Sequence, residues 1–316
     1  MDEQVMVFAP APLLTVTIEQ QADAVELHLH PGGQGVWQTR MIAALGTPVT
    51  LCVAVGGEVG DALRKLLVDE DVTVRVVNRQ SGTGWYVHDR RDGSRAEIAE
   101  DPGAPMVRHD IDELYTVTLT EGLRAPVSVL SGPADPDVVD SDIYRRLAAD
   151  LSANGGTVVA DLSGPHLAAV LEGGVAVLKV SHEELMDDGY ADDDSVESLL
   201  DAGRRLQRKG AKSVLISRAG EPALALLDDG TALQVHAPPL ELADHRGAGD
   251  SMTAGVAAVL ARGGDLREAI RIGAAAGALN VTRHGLGTGR AEAVRELAGR
   301  VRLTSLQDAS GGSDDG

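Results

Sequence analysis

Short apolar runs rich in β-branched residues alternate with segments of helical periodicity along most of this 316-residue chain. LLTVTIE (13–19) predicts a buried strand, QGVWQTRMIAALG (34–46) a helix, and VTLCVAV (49–55) another strand. The alternation continues through TVVADLSG, VAVLKVS and AKSVLISR. Strands that alternate with helices build βαβ units, so the sequence predicts an α/β fold with a mainly parallel sheet and helices on both faces.

Two segments depart from this rhythm and predict a second, smaller sheet. AVELHLH (24–30) alternates with a period of two, with apolar residues on one side and Glu26, His28 and His30 on the other. TGWYVHDRRDGSRAEIAE (83–100) is typical of a hairpin that turns at an Asp-Gly pair. Both are patterns of half-exposed strands, so we predict a lid over the main sheet.

The lid and the main sheet are predicted to form one domain, residues 1–305, with lid segments at about 20–32 and 80–101. The remaining residues, 306–316, are small and acidic, which predicts a flexible tail.

Cys52 lies in an apolar run, so we expect a buried thiol. A single cysteine forms no internal disulfide.

The charge balance excludes two classes of partner. The chain has 28 lysine and arginine residues against 48 aspartate and glutamate residues, a formal net charge of −20. Nucleic acids and anionic membranes bind basic surfaces, so we expect neither as a partner. An anionic small ligand remains compatible with this charge, because it needs only a local group of hydrogen-bond donors.

No apolar stretch approaches the ~18 residues of a membrane-spanning helix, and the first residues lack a signal-peptide pattern. We therefore expect a cytoplasmic protein.

The stretch HRGAGDSMTAG (245–255) predicts an anion site at the start of a helix. Gly247 and Gly249 allow a tight turn and a close approach of the backbone to a ligand. The helix that follows offers unpaired N–H groups and the positive end of its dipole. Asp250 stands at the helix start, where it could act in chemistry or simply cap the helix. The tetrapeptide GAGD by itself leaves both roles open.

A second glycine loop, PGGQGVW (31–37), joins a predicted lid strand to the first main helix. It is either a simple turn or a loop whose backbone lies against a small ligand. Asp23, after the first predicted strand, could bind sugar hydroxyls or be a solvated turn residue. The sequence lacks a Walker-type loop and a G-x-G-x-x-G fingerprint after the first strand, which argues against a dinucleotide oxidoreductase.

Six motifs occur in the order and at the spacing of one enzyme family. They are LLTVTIEQQAD, PGGQGVWQTRMIAALG, VGGEVGDAL, DLSGPHLAAVL, VLKVSHEEL and HRGAGDSMTAG. With these motifs the chain resembles the sugar kinases of the ribokinase/PfkB family, nearest the branch that contains 1-phosphofructokinase and tagatose-6-phosphate kinase. The resemblance runs from about Leu13 to Gly289. It implies a ribokinase-like three-layer α/β/α sandwich with a small β-sheet lid, and an ATP-dependent carbohydrate kinase that uses Mg²⁺.

The resemblance also implies roles for the matched residues. Asp250 would be the general base that accepts the proton of a sugar hydroxyl, and Gly247, Ala248 and Gly249 would form an anion hole for the transferring phosphoryl group. Glu184 would support Mg²⁺, through water. The predicted acceptor-binding residues are Asp23, Gly32, Gly33, Gln34, Gly35, Trp37, Trp85 and Arg246. The predicted ATP-binding residues are Lys179, Ser181, Ser217, Gly220, Gly277 and Asn280.

The sequence departs from the family pattern at the acceptor site. Gln34 stands where the family has a lysine, Trp37 and Ser181 where it has asparagines, and Gly82 about where the phosphosugar branch has an arginine. Each lost cation would make a contact worth about 1.5–3 kcal/mol with a phosphate. We therefore hypothesise an unphosphorylated, larger or flatter acceptor that stacks on Trp37 and Trp85. Alternatively, both tryptophans fill the seam between lid and core.

Three further residues have open roles. Arg246 could bind a phosphate of ATP or of the acceptor, or pair with Asp244 at the surface. His28 and His30 share one side of a lid strand, where they could bind a metal or form a solvated face.

Two functions are compatible with these patterns. We favour an ATP-dependent kinase for a sugar or sugar phosphate, because the base and the anion-binding loop are both present. The alternative is a catalytically weak or inactive family member that acts as a ligand sensor or partner protein. The resemblance also implies a homodimer through the lid, which the apolar face of strand 24–30 permits.

Overall fold

The computed structural model describes residues 3–22, 24–68, 72–241, 246–282 and 289–306. Within these residues the strands are β1 (Val5–Phe8), β2 (Leu13–Gln21), β3 (Ala24–Gly32), β4 (Val49–Val55), β5 (Val72–Asn78), β6 (Thr83–Asp89), β7 (Ala96–Gly103), β8 (Val127–Ser131), β9 (Thr157–Asp161), β10 (Val175–Ser181), β11 (Ala211–Arg218), β12 (Glu221–Leu226), β13 (Ala232–His236) and β14 (Arg302–Ser305). The helices are α1 (Gln34–Ala44), α2 (Gly57–Leu66), α3 (Arg108–Gly122), α4 (Asp142–Ala153), α5 (Gly164–Gly173), α6 (His182–Asp187), α7 (Val196–Lys209), α8 (Ala248–Ala261), α9 (Leu266–Asn280) and α10 (Ala291–Ala298).

The main sheet has ten strands in the order β14-β13-β12-β11-β10-β9-β8-β1-β4-β5. The strands from β11 to β5 are parallel, and β12, β13 and β14 add an antiparallel edge. Because all the parallel strands point the same way, their carboxyl ends meet along one edge, where α/β proteins bind ligands. The predicted α/β fold with a mainly parallel sheet is confirmed.

The core lies on both faces of this sheet. One face packs against α3, α4, α5, α6 and α7, and includes Phe8 and Tyr144, whose rings meet edge to face at 5.3 Å. The other face packs against α1, α2, α8, α9 and α10 and is built mainly from alanine, valine and leucine. Cys52 is a buried free thiol, as expected.

The lid is a four-stranded sheet in the order β3-β2-β6-β7. It contains β2, so the strand predicted over 13–19 is present, but the prediction that it is buried was wrong. The lid begins at Leu13 rather than at about residue 20. Most side chains of β2 are only half-buried, because threonines alternate with apolar residues and each set faces a different side. The first strand of the main sheet is the short, fully buried β1, which the sequence analysis did not identify.

Helices α8 and α9 pack closely against each other. This packing holds the start of α8 at the edge of the sheet where the carboxyl ends of the parallel strands meet. A Cβ atom at Gly255 would lie 2.7 Å from Cα of Gly273, so the two backbones approach more closely than side chains would allow. In the part of the chain that the structure describes, no helix is long and apolar enough to cross a membrane. The predicted tail, apart from Leu306, lies outside the described residues.

Candidate active site

A lysine and an aspartate meet at the carboxyl ends of β9 and β10. The register of these strands pairs Lys179 with Asp161, and Nζ of Lys179 donates to Oδ1 of Asp161 at 3.1 Å. Both side chains are buried. A buried ion pair is retained when further hydrogen bonds satisfy its members, and Asp161 has such bonds.

Asp250 lies over this pair, in the first turn of α8. The helix begins after Gly247, whose φ of 72° lies in the left-handed region that favours glycine. A Cβ atom at Gly249 would lie 2.4 Å from Nζ of Lys179, so this glycine lets the ammonium group reach the underside of the loop. The loop and the lysine therefore gather positive charge where an anion would bind.

Gln38, on α1, joins the two carboxylates. Its Nε2 atom lies 3.0 Å from Oδ2 of Asp161 and 3.4 Å from Oδ1 of Asp250, and donates to both. Its Oε1 atom accepts from the hydroxyl of Ser131 at the end of β8. Thr253 adds a further donor to Oδ2 of Asp161 at 2.8 Å. The buried polar groups of four elements are thus linked in one network.

The sequence analysis missed Gln38, Thr253 and the role of Asp161. Gln38 carries a usable signal, because helical spacing puts it on the same face as the fully buried Met41 and Ile42. A polar side chain on such a face must find partners inside the protein. Asp161 lies within the DLSG motif, but only the folded structure shows what its carboxylate contacts.

The pKa of Asp250 is raised to about 7, mainly by burial and also by the nearby carboxylate of Asp161. Lys179 and the hydrogen bond from Gln38 act in the opposite direction. Burial also raises the pKa of Asp161, against the attraction of Lys179. For Lys179, burial lowers the pKa, but the three carboxylates around it outweigh burial and hold its pKa above the ordinary value. Asp250 can therefore exchange a proton near neutral pH while Lys179 stays charged.

A family model described as pfkB family carbohydrate kinase matches residues 12–293, most of the chain. The chain belongs to the pfkB family of carbohydrate kinases. Relatives include ATP-dependent 6-phosphofructokinase isozyme 2 of Escherichia coli (strain K12), 30% identical over 81% of this chain and 82% of that protein. A 1-phosphofructokinase of Bacillus subtilis (strain 168) is 26% identical over 88% of this chain and 89% of that protein. The crystal structure of phosphofructokinase-2 from Escherichia coli superposes with a TM-score of 0.82, at 25% identity, over 94% of this chain and 98% of that one.

These similarities confirm the resemblance drawn from the motifs. The protein is a carbohydrate kinase with a ribokinase-like α/β fold, and ATP is the phosphoryl donor that this family implies. The individual roles predicted for its residues stay predictions.

On the predicted ATP side of this pfkB kinase, Glu184 is held by Ser181. The Ser181 hydroxyl and backbone N–H both donate to Oε2 of Glu184, at 2.8 and 2.7 Å, while the Glu184 N–H donates to Oγ of Ser181. This capping box begins α6. Glu184 lies close enough to Asp161 and Asp250 to influence their pKa values. Within the described residues no group of three or more His, Cys, Asp or Glu side chains is arranged to hold a metal.

The other predicted ATP-binding residues lie in two places. Ser217 is paired with Ser181 across β10 and β11, and Gly220 lies in the exposed turn that follows β11. Gly277 packs under the anion loop, because a Cβ atom there would lie 2.9 Å from the carbonyl oxygen of Ala248. Asn280 is buried and donates from Nδ2 to the carbonyl oxygen of Arg246 at 2.6 Å, which fixes the backbone just before Gly247.

The glycine loop before α1 is packed tightly against the core. A Cβ atom at Gly32 would lie 2.4 Å from Oγ1 of Thr15, and one at Gly35 would lie 2.4 Å from Cβ of Ala9. Gly33 precedes the helix with a φ of 101°. Gln34 accepts at Oε1 from the backbone N–H of Gly132 at 2.7 Å, so it joins α1 to the loop after β8.

The two tryptophans occupy different surroundings. Trp37 is half-buried in the first turn of α1. Trp85 is half-buried in β6, where the register pairs it with Leu14 and puts it on the opposite side of the lid from Tyr86. Arg246 is exposed at the turn before Gly247. Asp23, Asp244 and His245 lie outside the described residues.

The histidines of β3 are a solvated pair. The rings of His28 and His30 stack at 6.0 Å, and Nε2 of His28 lies 3.2 Å from Oε2 of Glu26. Both side chains are partly exposed. The metal alternative for these two residues gains no support from this arrangement.

Proposed function

We propose that this kinase transfers the γ-phosphoryl group of ATP to a hydroxyl group of a sugar or sugar phosphate, with Asp250 as the general base. The observation that carries the proposal is the buried Asp250 carboxylate at the start of α8, with a pKa raised to about 7. A base with a pKa near neutral is ionised in a large fraction of molecules and still accepts a proton readily.

In the proposed step, the acceptor oxygen bonds to the γ-phosphorus while the bond from that phosphorus to the β,γ-bridging oxygen breaks. ADP leaves with the electron pair of the broken bond, and the hydroxyl proton moves to a carboxylate oxygen of Asp250. The backbone of Gly247, Ala248 and Gly249 would stabilise the charge on the transferring group. The ammonium group of Lys179, next to Gly249, supports this assignment with a fixed positive charge.

The acidic groups beside the loop are compatible with Mg²⁺. This ion uses one or two carboxylates, keeps several waters and contacts substrate phosphates. We infer that Glu184 would hold it, since the oxygens of Asp161 already accept from Lys179, Gln38 and Thr253. When bound, Mg²⁺ neutralises charge on the β- and γ-phosphate oxygens. The adenine is proposed to lie between the loop after Ser217, including Gly220, and the end of α9.

The lid is proposed to close over the acceptor and to form a homodimer contact. Closure would exclude water, a competing acceptor. Val25, Leu27 and Leu29 are 58%, 63% and 45% exposed and share one side of β3. An exposed apolar surface of this kind is typical of a protein–protein contact, and a second copy of the lid offers a matching surface.

The test is ADP release from Mg-ATP across hexoses, pentoses, hexose phosphates and nucleosides. Asp250→Asn keeps the volume of the side chain and should lower kcat about 10²–10⁴-fold with the best acceptor. Asp201→Asn, at an exposed position on α7, is the matched control and should keep full activity. Equal activity of wild type and Asp250→Asn would overturn the assignment of the base. Binding of ATP and acceptor with no ADP release by the wild type would favour the sensor.

A further inference from the structure

Strands β6 and β7 form a hairpin of the lid, here called the lid hairpin, which meets the main domain where β6 begins and β7 ends. The first residue of β6 is Thr83 and the last residue of β7 is Gly103. Residues 79–84 and 102–104 are here called the hairpin root. Arg79 follows β5 directly, lies within this root and is only 4% exposed. Because so little of its surface is open to a ligand, Arg79 acts through the segments that it contacts.

The guanidinium group of Arg79 contacts both ends of the lid hairpin. Its Nη2 atom donates to the carbonyl oxygen of Gly82, just before β6. The same oxygen accepts from the N–H of Ala104 at 3.3 Å, where the chain has just left β7. A Cβ atom at Gly103 would lie 2.8 Å from Nη2 of Arg79, and the φ of this glycine is 90°. Glycine at this position therefore lets the backbone pass close to the guanidinium group.

The hairpin root is also tied to the core on both sides of Arg79. The N–H of Gly56 donates to Oγ1 of Thr83 at 2.7 Å, and the N–H of Thr83 donates to the carbonyl oxygen of Gly56 at 3.0 Å. Asp110 of α3 is 1% exposed and accepts at Oδ2 from the N–H of Gln80 at 2.8 Å. Burial lowers the pKa of Arg79, and the carboxylate of Asp110 acts in the opposite direction. A guanidinium group stays charged in proteins, so Asp110 offsets a buried positive charge from the side of the core.

Arg79 has buried donors that this arrangement does not use. Its Nε and Nη1 atoms have no hydrogen-bond partner within the described residues, and neither has the buried hydroxyl group of Ser81 in the same root. Leaving buried charged donors unpaired costs free energy. The planar guanidinium group carries several donors in a fixed geometry, so it can bond to the root in more than one orientation of the lid hairpin.

We propose that Arg79 is a positioning residue that sets the orientation of the lid hairpin over the acceptor, through its bond to Gly82 and its contact with Gly103. Trp85, a predicted acceptor-binding residue, lies in β6 directly beyond the root. Hinge residues of a lid absorb its motion far from the reacting atoms, and small displacements at a binding site are costly. The inference rests on the proposed function, because it assigns the lid hairpin a part in that transfer.

The first experiment measures steady-state kinetics of Arg79→Met and Arg79→Lys with the best acceptor of the panel of hexoses, pentoses, hexose phosphates and nucleosides. Both variants should raise KM for the acceptor at least about tenfold and leave KM for ATP unchanged, because lysine keeps the charge but lacks the planar fork. Arg75→Met is the matched control, since Arg75 lies on β5 and pairs with Glu121 outside the lid. Full rescue by lysine, an equal rise in both KM values, or an unchanged KM for the acceptor would overturn the inference.

The second experiment disturbs the same contact and keeps Arg79. A methyl group in Gly103→Ala would press on Nη2 of Arg79 and should raise KM for the acceptor at least about tenfold. Gly93→Ala is the matched control, because Gly93 has a φ of 82° but no atom within 4 Å of the added Cβ. It introduces similar backbone strain in the same hairpin without touching the root, and it should leave KM unchanged. Equal effects of the two variants would assign the change to backbone strain and overturn the role of the contact.

A third measurement separates this inference from the proposed function. Hydrogen exchange of the β6 and β7 amides, followed by mass spectrometry without ligands, should be at least about tenfold faster in Arg79→Lys, with no change in β10 and β11. Arg75→Met should exchange as the wild type does. This selective change in a protein that transfers no phosphoryl group would support the positioning role and contradict the kinase proposal. Exchange that is unchanged in the lid hairpin, or faster throughout the chain, would overturn the inference whatever the outcome of the kinase assay.

Discussion

Nζ of Lys179 lies 3.1 Å from Oδ1 of Asp161, and it touches the position that a Cβ atom at Gly249 would occupy. The lysine thus links a carboxylate at the end of β9 to the glycine loop at the start of α8. Because Asp250 lies within electrostatic range of both members of this pair, changes in the pair should alter the acidity of Asp250.

The pH dependence of kcat/KM should report that acidity. We expect kcat/KM to fall as the pH drops below about 7, since Asp250 must be ionised to accept a proton and burial raises its pKa. Asp161→Asn removes a negative charge and should move the acidic limb to lower pH. Lys179→Met removes a positive charge and should move it to higher pH. Rate profiles measured from about pH 5 to 9 that are unchanged in both variants would contradict the coupling.

The stability of Asp250→Asn should depend on pH. The pKa of Asp250 is raised in the folded protein, so its stabilising contribution is present below the unfolded pKa and is lost as the pH rises through about 7. Removing the carboxylate should therefore raise the free energy of unfolding at about pH 8, by on the order of a few kcal/mol, and change it little at about pH 4. Urea unfolding at both pH values measures this, with the exposed Asp201→Asn expected to behave as wild type.

Gln38→Met tests the link between the two carboxylates at nearly constant volume. The variant loses the donor to Asp161 and Asp250 and leaves the Ser131 hydroxyl without its acceptor, so unfolding should become easier by about 1–3 kcal/mol. The acidic limb of kcat/KM should also move to higher pH, because the Gln38 hydrogen bond lowers the pKa of Asp250. Gln207→Met, which removes hydrogen bonds to the backbone far from the site, should leave that limb in place.

Two glycines should be intolerant of a methyl group. Gly249→Ala would displace Lys179, and Gly277→Ala would push against the carbonyl oxygen of Ala248 at 2.9 Å. We expect each to lower kcat at least about tenfold, since small displacements of groups that bind the reacting atoms are costly. Gly299→Ala, where the backbone φ is −62° and the nearest atom is 3.5 Å away, should be harmless. Steady-state kinetics together with thermal unfolding would show whether activity is lost without loss of fold.

The exposed apolar side of the lid should hold two copies together. Leu27→Asp puts a charge in the middle of that surface and should shift sedimentation velocity profiles from dimer to monomer. Val68→Asp is the matched control, because Val68 is 80% exposed and lies outside the lid. A protein whose mass does not respond to Leu27→Asp, or that is monomeric as wild type, would contradict lid-mediated dimerisation.

Much of the fold could be predicted from local patterns. The alternation of apolar runs and helical segments predicts the parallel sheet, and the glycines before Asp250 predict the turn and the helix start that the structure has there. The strand Leu13–Gln21 was misplaced because its apolar residues were taken as a buried run, although its threonines alternate with them. The short strand Val5–Phe8 carries too few residues to show a period, and only its neighbours on both sides give it a place in the sheet.

The sequence by itself determined the family and the order of the elements, and it pointed to Asp250 and the glycine loop before it as the proposed base and anion hole, because these patterns depend on local spacing. Only the tertiary structure decided that Gln38 bridges Asp161 and Asp250. The difference has a physical cause: hydrogen bonds and Coulomb interactions depend on distance through space, which folding sets independently of separation along the chain.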